Sequence, residues 1–300
     1  MLDIVPHIWC TRNAEDAGAF YASAFQNASS EVESRYPAEG LPDFQREFAG
    51  EPLTVALTIS GTRFTLINAG DEFHPNPSIS FLLNFDPVMF DGKEELARAS
   101  LERLWGRLND GGTALMELDA YPHSPLYGWV QDRFGVSWQL MLTDPSGAPR
   151  PFITSHLMFA ANARGTATEA VEHYLRVFPD AERGTRIHYA QPEGSATTES
   201  VLFSDFRLGN RWFAAVDAPM EQDFTFTPGI SFEVRCRDQR EIDRLWDALS
   251  AEPDAEQCGW LVDRFGVSWQ VVPDDLGELM TRPGAYQRLL EMKKIVIADL

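Results

Sequence analysis

The sequence predicts an α+β protein built from tandem paired βαβββ modules, with curled mixed sheets that carry helices on their outer face. Three observations support this fold class. The octapeptide DRFGVSWQ occurs twice, beginning at Asp132 and again at Asp263. Each half contains several runs with alternating or β-branched side chains, which are typical of strands. In each half, two segments with apolar residues at helical spacing interrupt those runs, so the order is βαβββ followed by βαβββ.

The first half contains eight predicted strands and two predicted helices. The strands occupy residues 4–9, 29–35, 53–59, 63–67, 79–84, 113–120, 127–132 and 137–142. The helices are predicted at 15–25 and 94–108, where apolar side chains recur along one helical face.

The second half repeats this order from residue 154 onward. The segment ISFLLNF, which begins at Ile79, returns as ISFEVRC beginning at Ile230, and His7 in VPHIWC matches His156 in TSHLMF. Because the correspondence extends over most of each half, the duplication is the size of a domain rather than of a short motif.

The repeat also predicts how the chain is divided. The Pro-rich segment at 143–151 is the predicted linker between an N-terminal domain at 1–148 and a C-terminal domain at 149–300. The stretch NDGGTALMELDAYPHSP, which begins at Asn109, has no counterpart in the second half. We therefore expect each half to form a curled eight-stranded sheet of its own, with a shortened sixth-strand region in the second domain, which ends in a helical segment.

Composition argues against several classes of partner. The formal net charge of -20 opposes nucleic-acid binding, because a polyphosphate needs a clustered positive surface. No apolar run approaches the roughly 18 residues of a membrane span. The three cysteines form no CxxC pair, so neither a disulfide scaffold nor a structural zinc site is predicted. These features predict a cytoplasmic protein that meets neither nucleic acid nor membrane.

The repeated octapeptide predicts a hairpin and a direction for the side chains that follow it. Asp and Gly in DRFG favour a tight turn between two strands. Side chains alternate along the next strand, so Trp138 and Trp269 face opposite to Gln139 and Gln270. The large indole rings belong in the core. The two glutamines are therefore predicted on the other, concave face of the sheet.

These residues carry a resemblance to a known family. The paired βαβββ plan, HIWCTRNAEDAGAFYASAF near the start, YGWVQDRFGVSWQL and the terminal LLEMKKIVIADL resemble the vicinal oxygen chelate superfamily. More narrowly, they resemble its PhnB-like branch, which is labelled demethylubiquinone 3-methyltransferase-like and is related to glyoxalase and bleomycin-resistance proteins. The resemblance covers each half once. It implies the glyoxalase-like fold, a scaffold that supports several unrelated activities.

The resemblance also implies where a metal would be bound. Metalloenzymes of the superfamily hold their ion with side chains from the first, fifth and eighth strands. The matching positions here are His7, Ser78 and Gln139 in one half and His156, Gly229 and Gln270 in the other. Only the histidines match usual ligands, since the eighth strand normally supplies Glu. No cofactor is therefore expected, and a divalent metal is the less favoured alternative, with His74 and His123 in nearby loops as the only obvious replacement ligands.

Methyl transfer, which the family label implies, is not favoured by the sequence. A typical domain that binds S-adenosylmethionine has a glycine-rich turn after the first strand of a parallel sheet. The glycine pair in NDGGTAL, which begins at Asn109, follows a predicted helix and precedes a strand instead.

We expect the protein to bind a small molecule on the concave faces. The candidate ligand-binding residues are His7, Trp9, Gln139, His156 and Gln270. The ligand is expected near His7, Trp9 and Gln139, with His156 and Gln270 serving the other half. Each histidine could equally bond a neighbouring carbonyl without any role in function. No catalytic residue can be assigned. The tandem domains can pair within the chain, as two single-domain relatives would in a dimer, and a homodimer stays open.

Two alternatives remain at this point. One is a metal-dependent glyoxalase-like lyase or isomerase, or a dioxygenase, in which the ion polarises substrate oxygens. The other is a structural or regulatory module whose cavities are filled by its own side chains.

Overall fold

The computed structural model describes residues 2–300 and confirms the predicted element order. The first half consists of β1 (Asp3–Thr11), α1 (Ala14–Ala24), β2 (Ala28–Arg35), β3 (Pro52–Ile59), β4 (Thr62–Ala69), β5 (Ile79–Phe85), α2 (Glu94–Asn109), β6 (Thr113–Tyr121), β7 (Ser124–Gln131) and β8 (Ser137–Leu142). The second half consists of β9 (Ile153–Phe159), α3 (Ala167–Val177), β10 (Glu182–His188), β11 (Val201–Leu208), β12 (Arg211–Asp217), β13 (Ile230–Cys236), α4 (Gln239–Leu249), β14 (Trp260–Val262), β15 (Ser268–Pro273), α5 (Leu276–Leu279) and α6 (Ala285–Glu291).

The strands form two mixed sheets, and each sheet takes strands from both halves of the chain. The seven-stranded sheet has the order β14-β15-β13-β1-β4-β3-β2, and the eight-stranded sheet has the order β10-β11-β12-β9-β5-β8-β7-β6. The halves meet through antiparallel pairing of β1 with β13 and of β5 with β9. This pairing leaves neither β1 nor β9 with an open edge.

The expectation that each half forms its own curled sheet is therefore wrong. The boundary between 1–148 and 149–300 separates the two repeats in the sequence, but strands from either side of it pair with each other in both sheets. In the second half, where a shortened sixth-strand region was expected, a short 3-10 turn at Pro253–Ala255 lies between α4 and β14.

One continuous apolar core lies between the two sheets and the helices. Phe64 of β4 and Phe81 of β5 make an edge-to-face contact across it, with ring centroids 5.0 Å apart. Trp138 and Trp269 are fully buried in the same core, as their strand alternation predicts. The opposite surface of each sheet, called here the core-distal face, corresponds to the predicted concave face. None of the helices in residues 2–300 combines the length and apolarity of a membrane span.

The repeated octapeptide builds the same buried hydrogen-bond network twice. In the first copy, one oxygen of Asp132 accepts the backbone N–H groups of Phe134 and Val136 at 2.8 and 3.1 Å. Its other oxygen accepts the Tyr21 hydroxyl at 2.7 Å and the Trp138 indole N–H at 2.8 Å. The carboxylate thus closes the turn and joins α1 to β8.

The second copy repeats each of these bonds. Asp263 accepts the N–H groups of Phe265 and Val267 at 2.9 and 3.0 Å. It also accepts the Tyr174 hydroxyl at 2.7 Å and the Trp269 indole at 2.8 Å. Burial raises the pKa of Asp263, and the four donors oppose that rise. The repeat of the octapeptide in the two halves therefore corresponds to one structural network that is built twice. The glutamine that ends each copy faces away from this network.

Candidate functional site

The core-distal face of the seven-stranded sheet carries a buried cluster of polar side chains. His7 of β1 lies opposite Ser231 of β13, and Gln270 of β15 is their neighbour. The Gln270 amide nitrogen lies 2.9 Å from Nδ1 of His7 and donates to the Ser231 hydroxyl at 3.0 Å. Because that nitrogen only donates, Nδ1 of His7 accepts and the neutral ring carries its proton on Nε2.

A carboxylate that the sequence did not reveal completes this cluster. Oε2 of Glu233 lies 3.3 Å from Nε2 of His7, and Oε1 accepts from Nε of Arg235 at 2.7 Å. Burial raises the pKa of Glu233, but the hydrogen bond from His7 and the charge of Arg235 more than offset this and hold the pKa below its usual value. Glu233 is therefore an anion that is held by the guanidinium of Arg235 and faces the Nε2–H group of His7.

Aromatic rings cover this cluster. The ring of Trp9 meets Phe73, from the loop after β4, at 5.1 Å, and it meets Trp260 of β14 at 6.3 Å. The indole N–H of Trp9 donates to the Gly70 carbonyl at 2.9 Å, which fixes the ring beside the loop. Trp9 thus shares the face of His7, as predicted, and contributes to a roof over it.

The eight-stranded sheet has the equivalent cluster, with a different neighbour. Nδ1 of His156 lies 3.2 Å from the Gln139 amide nitrogen and 3.4 Å from the Ser80 hydroxyl. The Gln139 amide oxygen accepts the Tyr127 hydroxyl at 2.8 Å. Leu82 stands at the position that Glu233 occupies in the other sheet. The two clusters are therefore equivalent in His, Gln and Ser but differ in charge.

His156 is a neutral hydrogen-bond donor at neutral pH. Burial lowers its pKa from 6.5 to about 4. Since Nδ1 faces the Gln139 amide nitrogen, the ring proton resides on Nε2. Within residues 2–300, no protein group accepts a hydrogen bond from that Nε2. The imidazole thus offers one N–H group to an oxygen atom of a ligand.

The buried neutral state of His156 predicts a pH dependence of stability. As pH falls, the unfolded chain takes up this proton near pH 6.5, whereas the folded chain takes it up only near pH 4. We expect the free energy of unfolding to fall by about 3 kcal/mol across that window from this residue alone. Urea titrations at pH 7 and pH 4.5 should show this loss in the wild type and a much smaller one in His156→Gln. The exposed His188→Gln variant serves as the control and should keep the wild-type loss. An unchanged loss in His156→Gln would contradict the neutral assignment.

A cavity of about 210 Å³ adjoins the His156 cluster. Its wall includes Leu82, Met141 and Thr154. Each of these lies two positions along its strand from a member of the His156 cluster, and so on the same face of the sheet. At the far end, Arg150 pairs with Asp205 at 2.7 Å. The chain segment that was predicted as the interdomain linker supplies Arg150 and covers this end.

Phe224, a loop residue, covers the end of this face that lies nearer to His156. Phe224 packs against a small apolar cluster that contains Met158 and Val216, together with Trp129. Phe224 and Phe73 occupy matching positions in the two loops that precede β13 and β5. Both clusters therefore have a polar floor and an aromatic roof.

All five predicted site residues lie on the core-distal faces, but they are grouped differently from the prediction. The structure brings His7 to Gln270 and His156 to Gln139, whereas His7 was expected beside Gln139. The reason is the cross-half pairing of β1 with β13 and of β9 with β5, which places each histidine in a sheet with the other half's glutamine.

The fifth-strand positions also need correction. Ser80 and Ser231 face the histidines, two residues beyond the expected Ser78 and Gly229. Backbone carbonyls at Ser78 and Gly229 accept hydrogen bonds from Met158 and Trp9 instead. Neither replacement histidine hydrogen-bonds to His7 or His156: His74 is exposed and pairs with Asp71, and His123 packs on Tyr121 and on Tyr127, the donor to Gln139.

Sequence reasoning missed Glu233, Tyr127 and the two roof phenylalanines. Glu233 could have been found from the repeat itself, because ISFLLNF and ISFEVRC differ by Leu and Glu at that position. The roof residues lie in loops, whose path the pattern of apolar residues does not predict. No three His, Cys, Asp or Glu side chains within residues 2–300 come together as a metal site.

A family model described as 3-demethylubiquinone-9 3-methyltransferase matches residues 2–141 and again residues 151–272. The chain belongs to this family. The double match confirms the PhnB-like resemblance and the tandem organisation, since the family model fits each half once. No curated protein matches the chain.

Solved structures place this family member among glyoxalase-fold proteins. Glyoxalase I from Zea mays is 10% identical, with a TM-score of 0.54, and the match covers 94% of this chain and 97% of that one. A putative 3-demethylubiquinone-9 3-methyltransferase, PhnB protein, from Bacillus cereus is 28% identical, covers 46% of this chain and 98% of its own, and has a TM-score of 0.38. The glyoxalase I likeness supports the fold and carries no information about activity.

Proposed function

We propose that this protein binds a small, uncharged, oxygen-bearing organic molecule on the core-distal face of the eight-stranded sheet, without a metal. The observation that carries the proposal is the Nε2–H of the neutral His156, for which residues 2–300 provide no acceptor, one side chain along the face from a cavity of about 210 Å³. A ligand oxygen would accept this N–H group and form a hydrogen bond that the protein itself does not supply.

The lining of the cavity defines the chemistry of this ligand. The floor offers neutral groups, because Gln139 and Ser80 engage Nδ1 of His156. At the far end Arg150 pairs with Asp205, and the carboxylates of Asp86 and Asp144 disfavour an anionic ligand while they accept N–H groups of their own turns. The walls of Leu82 and Met141 favour apolar carbon. The volume lies below the roughly 300–1,000 Å³ of pockets for drug-sized ligands, so we propose a ligand of metabolite size.

A metal-dependent lyase, isomerase or dioxygenase is the second candidate, and Glu233 favours it by placing a carboxylate beside His7. The donor set fits a divalent ion poorly. Arg235 already holds Glu233 at 2.7 Å, so an ion there would lie beside a guanidinium. The remaining neighbours, Ser231 and the Gln270 amide, are neutral. We therefore assign no metal-dependent step to either cluster.

Methyl transfer, the activity in the family's description, is not the function proposed here. The glycine pair at Gly111 and Gly112 lies between α2 and β6, as predicted, and not after the first strand. Each sheet mixes parallel and antiparallel pairs, unlike the parallel sheet of typical domains that bind S-adenosylmethionine.

A thermal-shift screen of small uncharged aromatic ketones, esters and phenols tests the proposal. A ligand that binds the folded chain raises its melting temperature. We expect at least one such compound to stabilise the wild type and to lose its effect in Met141→Trp, which fills the cavity beside Gln139.

Leu115→Trp is the matched control, since Leu115 is exposed on β6 and does not line the cavity. A hit that stabilises Met141→Trp as strongly as it stabilises Leu115→Trp binds elsewhere and contradicts the proposal. Failure of the whole screen would favour a module whose cavities serve no ligand.

A further inference from the structure

A second cavity, of about 430 Å³, lies on the helix side of the molecule, away from both histidine clusters. Its wall includes the end of α1, one face of α2 and the chain just before β9. Phe85 lines its apolar part, stacked on Phe90 at 6.3 Å and edge-on to Phe152 at 5.3 Å. The wall of the cavity therefore offers three aromatic rings to an apolar group.

A cation without an acidic partner stands at the rim of this cavity. Nη2 of Arg103, on α2, donates to the Ser100 hydroxyl at 2.9 Å, and within residues 2–300 no carboxylate pairs with Arg103. A guanidinium has five N–H donors. Most of its hydrogen-bonding capacity is thus free in a chain with a net charge of -20.

The equivalent arginine of the second half also borders a cavity, of about 390 Å³, but that cavity is lined by charged side chains and the arginine is held by the protein itself. The match of Leu104-Trp105 with Leu245-Trp246 makes Arg244 the counterpart of Arg103. Nη1 of Arg244 donates to the Val177 carbonyl at 2.7 Å and so caps the C-terminus of α3. Arg103 makes no such bond to α1 and stays at the cavity mouth.

The aromatic wall is also particular to the first half. Cys236 occupies the position that corresponds to Phe85, and the short connection between β13 and α4 has no counterpart of Phe90. At this cavity the first half therefore combines an arginine that does not cap a helix with a set of aromatic rings that the second half lacks.

We propose that this cavity binds a small amphipathic carboxylate. The carboxylate group pairs with the guanidinium of Arg103, with which it can form two parallel hydrogen bonds. The apolar body of the ligand packs on Phe85, Phe90 and Phe152. This site is independent of the His156 cavity, because the two share no lining residue.

Calorimetric titration with 3-phenylpropionate and with 3-phenylpropan-1-ol tests the proposal. The two probes share the aromatic body and differ in the charged group. We expect the carboxylate to bind at least about tenfold more tightly than the alcohol, the size of one charge-assisted hydrogen bond. In Arg103→Gln the carboxylate should lose this advantage and bind like the alcohol.

Arg98→Gln is the matched control, because Arg98 lies on the same helix and pairs with Glu94 outside the cavity. It should bind 3-phenylpropionate like the wild type, and so should Met141→Trp, which blocks only the other cavity. Equal affinity of Arg103→Gln and Arg98→Gln for the carboxylate would overturn the proposal. So would the absence of binding by the wild type at millimolar concentrations of the carboxylate.

Discussion

Replacement of Asp263 by alanine is expected to lower the free energy of unfolding by about 4 kcal/mol or more, since each orphaned buried donor costs about 1–3 kcal/mol. The carboxylate accepts four hydrogen bonds in the core, from the Tyr174 hydroxyl, the Trp269 indole and two backbone N–H groups. Truncation leaves all four donors without a partner, although the turn can relax and admit water to some of them. Urea denaturation monitored by tryptophan fluorescence measures the loss.

Two further variants make this result specific. Asp132→Ala should be destabilised by a similar amount, because it has the same four donors in the first half. Asp247→Ala, at an exposed position of α4, should change stability by less than about 0.5 kcal/mol. A loss below about 1 kcal/mol for Asp263→Ala would show that the octapeptide is repeated for some reason other than this network.

Glu233→Gln is expected to cost about 3 kcal/mol at neutral pH, because it leaves the largely buried Arg235 guanidinium without its anionic partner. The amide cannot hold both the Arg235 guanidinium and His7 as an anion does. The depressed pKa means that the unfolded chain takes up the proton first as pH falls. The contribution of Glu233 is therefore complete above about pH 4.5 and is lost as pH falls toward 2.

Urea titrations of the wild type and the variant between pH 7 and pH 3 test this expectation. The stability difference between them should be largest at pH 7 and should shrink below pH 4.5. Glu33→Gln, which breaks an exposed pair with Arg63 in the same sheet, should cost less than about 1 kcal/mol. A difference that stays constant down to pH 3 would mean that the charge of Glu233 does not stabilise the fold.

The elements of this fold could be predicted because their signals are local. Strand alternation predicted that Trp138 and Gln139 face opposite sides, and the structure confirms it. Comparison of the two repeats predicted a shortened sixth-strand region in the second half, where the structure has a short 3-10 turn. Strand pairing could not be predicted in the same way. Strands with apolar side chains are available in both halves, and the sequence does not indicate which of them pairs with β1.

The candidate site shows the same limit. His7, Trp9, Gln139, His156 and Gln270 could each be assigned to the correct face, since that depends only on alternation along one strand. Which histidine meets which glutamine depends on pairing between strands from different halves of the chain, namely β1 with β13 and β5 with β9. The loops that bring Phe73 and Phe224 over the clusters follow the same non-local geometry.

The crystal structure of the chain with a hit from the thermal-shift screen tests the central claim most directly. Ligand density should lie on the core-distal face of the eight-stranded sheet, with an oxygen atom within hydrogen-bonding distance of Nε2 of His156 and carbon atoms against Met141. Density elsewhere, with the space beside His156 filled by the protein's own side chains, would contradict the account.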